Sequence, residues 1–182
     1  MLNNLNNKET NDGDILVSGY ADIWNKNYKA KYAKNHILQY GILAMLGVYN
    51  PYGYNKSAFN TPDIMQVGTN TTTASYFSMS ALVSPLASSS SITYPNSATI
   101  SYSQPSGTTE WQVVVVATWN AGALPNDTIG EVGLYANYLE VNGTNYYHVI
   151  TRIAVADGSF SAFTNNNTYA LNINYVINFK YQ

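Results

Sequence analysis

The chain has no cysteine, which removes disulfides and thiolate chemistry together. Its fold must therefore hold by packing, helped by association with other chains. Charge is also scarce. Lys, Arg, Asp and Glu supply 10% of the 182 residues, where ordinary soluble domains carry about 25%. Arginine occurs once, at Arg152, and histidine twice, at His36 and His148. The net charge of −2 gives no general pull toward nucleic acid or anionic lipid, so neither is expected as a partner. No apolar run approaches the roughly 20 residues that span a bilayer. Residues 1–14, MLNNLNNKETNDGD, lack a basic region followed by an apolar run, so no secretory signal is read there. No repeat of fixed period is visible.

What is present is 46% hydrophobic residues, 17 tyrosines and a wealth of Asn, Ser and Thr. Solubility must come from hydroxyl and amide groups. Such a surface is typical of extracellular or assembled proteins, yet no export signal accompanies it. Release by cell lysis inside a virus particle would reconcile the two, as would a signal trimmed from the chain.

The chain is organised around residues 128–157, TIGEVGLYANYLEVNGTNYYHVITRIAVAD. Two apolar runs flank Asn142-Gly143, a dipeptide suited to the positive φ angles of a tight hairpin turn. With Asn142 and Gly143 as the two turn residues, Val132 faces Ile153, Leu134 faces Thr151 and Ala136 faces Val149. Glu131 and Arg152 then share the opposite face, one diagonal step apart and within reach of each other.

Residues 1–26 are read as an N-terminal arm. Its first 13 residues are polar, and residues 14–24 have β character, as an edge strand or one donated to another subunit. Residues 27–182 form a single domain. Within it, Ile37, Leu38, Gly41, Ile42, Met45 and Leu46 recur near helical spacing, which predicts a helix over about 31–46 that stops at Gly47. Lys26, Lys29, Lys31 and Lys34 cluster at its start, as a solvated face or a contact for an acidic partner. Strands are expected near 63–68, 75–83, 91–94 and 98–104. The run 109–120, TEWQVVVVATWN, is apolar on both faces and should be central in a sheet or in an interface. In 168–181, Tyr169, Leu171, Ile173, Tyr175, Ile177 and Phe179 alternate with a mostly polar set, the mark of a half-buried strand. Many short strands with one helix predict an all-β protein: an antiparallel β-sandwich, jelly-roll-like.

Catalytic roles do not assemble. The two histidines fall on different predicted elements with no acidic cluster at metal spacing, serine never sits in a nucleophile-elbow context, and the acids lie at turns. No enzyme activity and no cofactor is expected. Glu131 and Arg152 are read as a structural ion pair. Tyr49, Tyr52, Tyr54 and Phe59 crowd one loop, which either closes an end of the fold or recognises a protein or glycan. Five Asn-x-Ser/Thr sequons, at Asn55, Asn70, Asn126, Asn142 and Asn166, are candidate glycan acceptors, with the exposed loops of Asn70 and Asn166 favoured.

Three strand motifs stand in order: IGEVGLY at 129–135, TRIAV at 151–155 and LNINYVINF at 171–179. Ahead of them lie NHILQYGILAMLG at 35–47 and MQVGTNTTT at 65–73. This order resembles small virion proteins of tailed phages and archaeal viruses, of the tail-fibre, tail-tip or particle-surface type. VGTN stands where a second glycine is common, and Tyr175 where tryptophan is often seen. The resemblance spans about residues 35–179 and implies a structural protein of the virion at a tail, vertex or particle surface. Its partners would be copies of itself and other virion proteins. A receptor- or glycan-binding tip module and a cellular surface filament or adhesin subunit are the alternatives.

Overall fold

The computed structural model describes residues 15–38, 65–72, 82–88, 91–92, 95, 97–139 and 145–181. They form an all-β protein of antiparallel sheets. Its axis is the last strand, β13 (Leu171–Tyr181). The period-two pattern of that segment sends Leu171, Ile173, Tyr175 and Ile177 into the core. On the other face Asn172, Asn174 and Asn178 are half-buried.

β13 lies between β1 (Ile15–Trp24) and β8 (Glu110–Trp119). With β2 (Lys29–Lys34) and β7 (Ser97–Ser103) at the edges, the order is β2-β1-β13-β8-β7. Ten unbroken pairs run from Leu171↔Trp119 to Lys180↔Glu110. A second sheet has the order β3-β11-β10-β4, from β3 (His36–Ile37), β4 (Met65–Gly68), β10 (Glu131–Leu139) and β11 (Asn145–Ala154). Two short pairs, β5 (Ala87–Ser88) with β6 (Ser91–Ile92) and β9 (Thr128–Ile129) with β12 (Phe163–Thr164), complete the set.

The two larger sheets share one core. Ala21, Ile23, Val115, Trp119, Ile173 and Ile177 of the first pack in the same buried cluster as Met65, Val67, Val132, Leu134 and Ile153 of the second. Each large apolar side chain removed from water contributes about 1.5–3 kcal/mol. A polar tie crosses this core: the Thr151 hydroxyl on β11 donates to the Tyr175 hydroxyl on β13. Asn35, at the passage from β2 to β3, lies close to Tyr175, whose burial pushes its phenol pKa well up.

Four expectations are corrected. The predicted helix over 31–46 begins in strand: β2 and β3 occupy its first residues, and among the described residues the helical element is a single 3-10 turn, Val155–Asp157. Pairing with β1 overrides the helix propensity of KAKYAK, burying Ala33 fully and leaving the lysines at the rim. A bulge sets Lys31 and Tyr32 against Asp22 alone, and Tyr32 takes φ 54 with its N–H donated to Asp22 Oδ1 (2.9 Å). Residues 39–46 lie outside the described set.

The segment read as an arm is, over Ile15–Trp24, an interior strand paired on both sides within its own chain. It is therefore neither an edge strand nor one given to a neighbour. β8 is central, but its second face is open: Val116 is 38% exposed. The hairpin register holds for Val132↔Ile153 and Leu134↔Thr151, then shifts at a bulge, so Ala136 faces His148 rather than Val149. Beyond the bulge Leu139 pairs with Asn145, one residue off the register of a two-residue turn. Asn142 and Gly143 themselves lie outside the described residues.

Candidate functional site

The second sheet places its charges on the face turned away from the shared core. Gly133 is the direct partner of Arg152, and Glu131 sits one diagonal step along β10. The missing side chain at Gly133 makes room for Leu82, whose Cδ2 would stand 2.7 Å from a Cβ there. Arg152 Nε donates to Glu131 Oε2 at 2.8 Å, and both side chains are 0% exposed.

What seals this pair is residues 82–86, which cross the outer face of β4 and β10. The Ser84 N–H donates to Glu131 Oε1 (2.8 Å) and the Val83 N–H to Oε2 (3.4 Å). The Tyr135 hydroxyl accepts the Leu82 N–H (2.7 Å). Backbone bonds Thr69 N–H to Ser84 O (2.9 Å) and Leu86 N–H to Val67 O (2.8 Å) fix the segment along β4. Gly68 is required here by close approach: a Cβ would stand 2.6 Å from both Glu131 Oε1 and Ser84 O. The carboxylate thus accepts two backbone N–H groups and one guanidinium N–H, which compensates its burial. Enclosed in this way it is a fastening, with no open face for a substrate.

At the margin of the same face, His36 pairs with Arg152 across β3 and β11. Its Nε2 lies 3.9 Å from Asp157 Oδ2. Among the described residues no three His, Asp or Glu side chains gather as a metal-holding group.

The outer face of the five-stranded sheet is chemically different. Asn172, Asn174 and Asn178 line its centre, and Thr118 Oγ1 donates to Asn172 Oδ1 (2.9 Å). Along the β2 edge stand Lys29, Lys31 and Lys34, three of the lysines assigned to the predicted helix. The fourth, Lys26, lies 4.7 Å over the Tyr169 ring, while Tyr28 stacks on Phe163 at 3.9 Å. These contacts tie the β1–β2 turn to β12 and to the loop before β13.

Of the sequons, Asn70, Asn126 and Asn166 are described and gather at one end of the fold. Asn126 Oδ1 accepts the Asn167 N–H (2.7 Å). Asn70 stands beside Gly130, with Asn70 O 2.5 Å from where a Gly130 Cβ would be. Asn166 Oδ1 accepts the Thr168 N–H (2.9 Å) and hydroxyl (2.8 Å). Asn70 makes the same pair of bonds with Thr72 and also donates its Nδ2 to Thr72 O. Asn55, Asn142 and the loop of Tyr49, Tyr52, Tyr54 and Phe59 lie outside the described residues.

The ion pair was legible as a lone Arg and a Glu inside apolar strands. The covering segment, Tyr135 and the Asn35–Thr151–Tyr175 cluster were not. Gly133, against which Leu82 packs, was the one signal for the covering segment, and none marked the cluster.

No protein-family model matches the chain. No solved structure matches it. A stretch of 127 residues is 35% identical to the uncharacterized protein ORF274 of Acidianus filamentous virus 1 (isolate United States/Yellowstone), covering 64% of this chain and 46% of that protein. The chain thus spans less than half the length of the viral relative it matches, and the similarity points to a viral origin for it.

Proposed function

We propose that this chain is a structural protein of a virus particle. In this reading it is a two-layer β-sandwich, with jelly-roll-like crossings between sheets from β2 to β3, β8 to β10 and β11 to β13. It works by self-assembly, as a homo-oligomer at a tail, vertex or particle surface, against copies of itself and other virion proteins. The observation that carries the proposal is the similarity to a viral protein. The chemistry of the chain agrees with it. A charge-poor surface rich in Asn, Ser, Thr and Tyr suits contacts between extended segments. The ion pair is spent on fastening the fold rather than presented to solvent.

The test is to purify particles from infected cells to constant density and measure the chain by mass spectrometry. It should co-purify at a fixed ratio to the major shell proteins, and antibody labelling should mark one location on the particle. A chain abundant in infected cells but absent from purified particles rejects the proposal.

A further inference from the structure

We propose that β7 is the self-association edge of the protein, pairing antiparallel with β7 of a second copy about a two-fold axis through Ile100. The inference rests on the self-assembly reading and names the surface that performs it. An edge strand presents unpaired N–H and C=O groups, and proteins normally guard such edges with lysine, proline, bulges, short length or a covering segment. Three of the four edges of the larger sheets are guarded. β2 carries Lys29, Lys31, Lys34 and a bulge. β3 is two residues long. β4 is covered by residues 84–86 through the Gly68↔Pro85 bridge and the backbone bonds at Thr69 and Leu86.

Among the described residues β7 has none of these devices. It is seven residues of SATISYS, uncharged, without proline, in unbroken register with β8 from Ser97↔Thr118 to Ser103↔Gln112. Among the described residues no strand lies on its other side.

The strand also fits itself. Antiparallel pairing about Ile100 sets Ser97 against Ser103, Ala98 against Tyr102, Thr99 against Ser101 and Ile100 against its own copy. On the core-side face the small Ala98 receives the Tyr102 ring, which is 61% exposed in the single chain. On the other face only hydroxyl side chains meet, and such cross-strand pairs are favourable. No like charges oppose one another, whereas β2 paired with itself would bring lysines together. Two five-stranded sheets would thereby become one of ten strands.

The test uses the full chain in sedimentation velocity across a concentration series. Thr99 and Ser101 are exposed and on the outer face, so charges there leave the core intact, which circular dichroism checks. Thr99→Lys with Ser101→Lys places like charges opposite each other twice, and should raise the dimer dissociation constant about tenfold or more. Thr99→Glu with Ser101→Glu should do the same. Mixing the two variants should restore dimers to the unsubstituted level. Undiminished association of either variant, or no restoration on mixing, overturns the β7 pairing while leaving self-assembly standing. Loss of dimers on deleting residues 1–13 overturns it in favour of a neighbour's N-terminal segment. An unsubstituted chain that stays monomeric at every concentration overturns both readings.

Discussion

Replacing Arg152 by methionine tests the fastening of the second sheet most directly. Methionine keeps much of the volume, so the change isolates the charge. Glu131 then loses its 2.8 Å guanidinium bond but keeps the Ser84 N–H at 2.8 Å and the Val83 N–H at 3.4 Å. Removing one member of a fully buried pair costs roughly 3–5 kcal/mol, and the retained donors place this case near ~3 kcal/mol. For a chain of this size that lowers Tm by about 6–12 °C. Glu131→Gln strands the guanidinium instead and should cost ~3 kcal/mol. In Arg152→Met with Glu131→Gln no buried charge remains, and the glutamine oxygen still accepts the Ser84 N–H. The double variant should lose only ~3 kcal/mol, against ~6 for independent effects, a coupling of ~3 kcal/mol. Urea unfolding followed by circular dichroism supplies all three values. Losses that add to within about 0.5 kcal/mol would refute the claim that the two charges stabilise each other.

Gly68→Ala should act through the same pair. Its Cβ displaces the Glu131 carboxylate or the Ser84 carbonyl, so a loss of about 2–3 kcal/mol is expected in urea unfolding, and it should shrink when Arg152→Met is already present. Gly130→Ala meets Asn70 backbone rather than a flexible side chain, and should cost about 1–3 kcal/mol regardless of the residue at 152. Tyr175 gives a pH signature. Its folded pKa is raised above the ordinary value of 10.0 by burial, so its contribution is intact below pH 10 and is lost as pH rises. Above pH 10 the unfolded chain releases this proton while the folded chain holds it, a slope of about −1.4 kcal/mol per pH unit. Tyr175→Phe should remove that slope from stability measured between pH 10 and 11.5, and an unchanged slope would exclude Tyr175 as its source.

Strand content was readable wherever side chains alternate without competition. β13 announces itself by Leu171, Ile173, Tyr175 and Ile177, and β8 by Val113, Val115, Ala117 and Trp119. The first half of the helix prediction failed because lysine and alanine favour helix locally, while the hydrogen bonds of β1 and the burial of Ala33 are nonlocal. The hairpin was right near its base and shifted beyond Leu134, because the extra residue Ile150 is apolar like Val149 beside it and carries no mark of lacking a cross-strand partner. Glu131 and Arg152 were visible as odd residues in apolar strands. Residues 82–86 were not visible as their cover, since what they offer is backbone N–H, which every residue but proline carries.

That last fact has an evolutionary reach. A clasp made of main-chain amides is blind to the identity of residues 83 and 84, and Val83 is half exposed. The outside of this segment is free to drift under selection from a host or a neighbouring subunit while its grip on Glu131 persists. Only a substitution that deletes the amide hydrogen, such as Ser84→Pro, would release it.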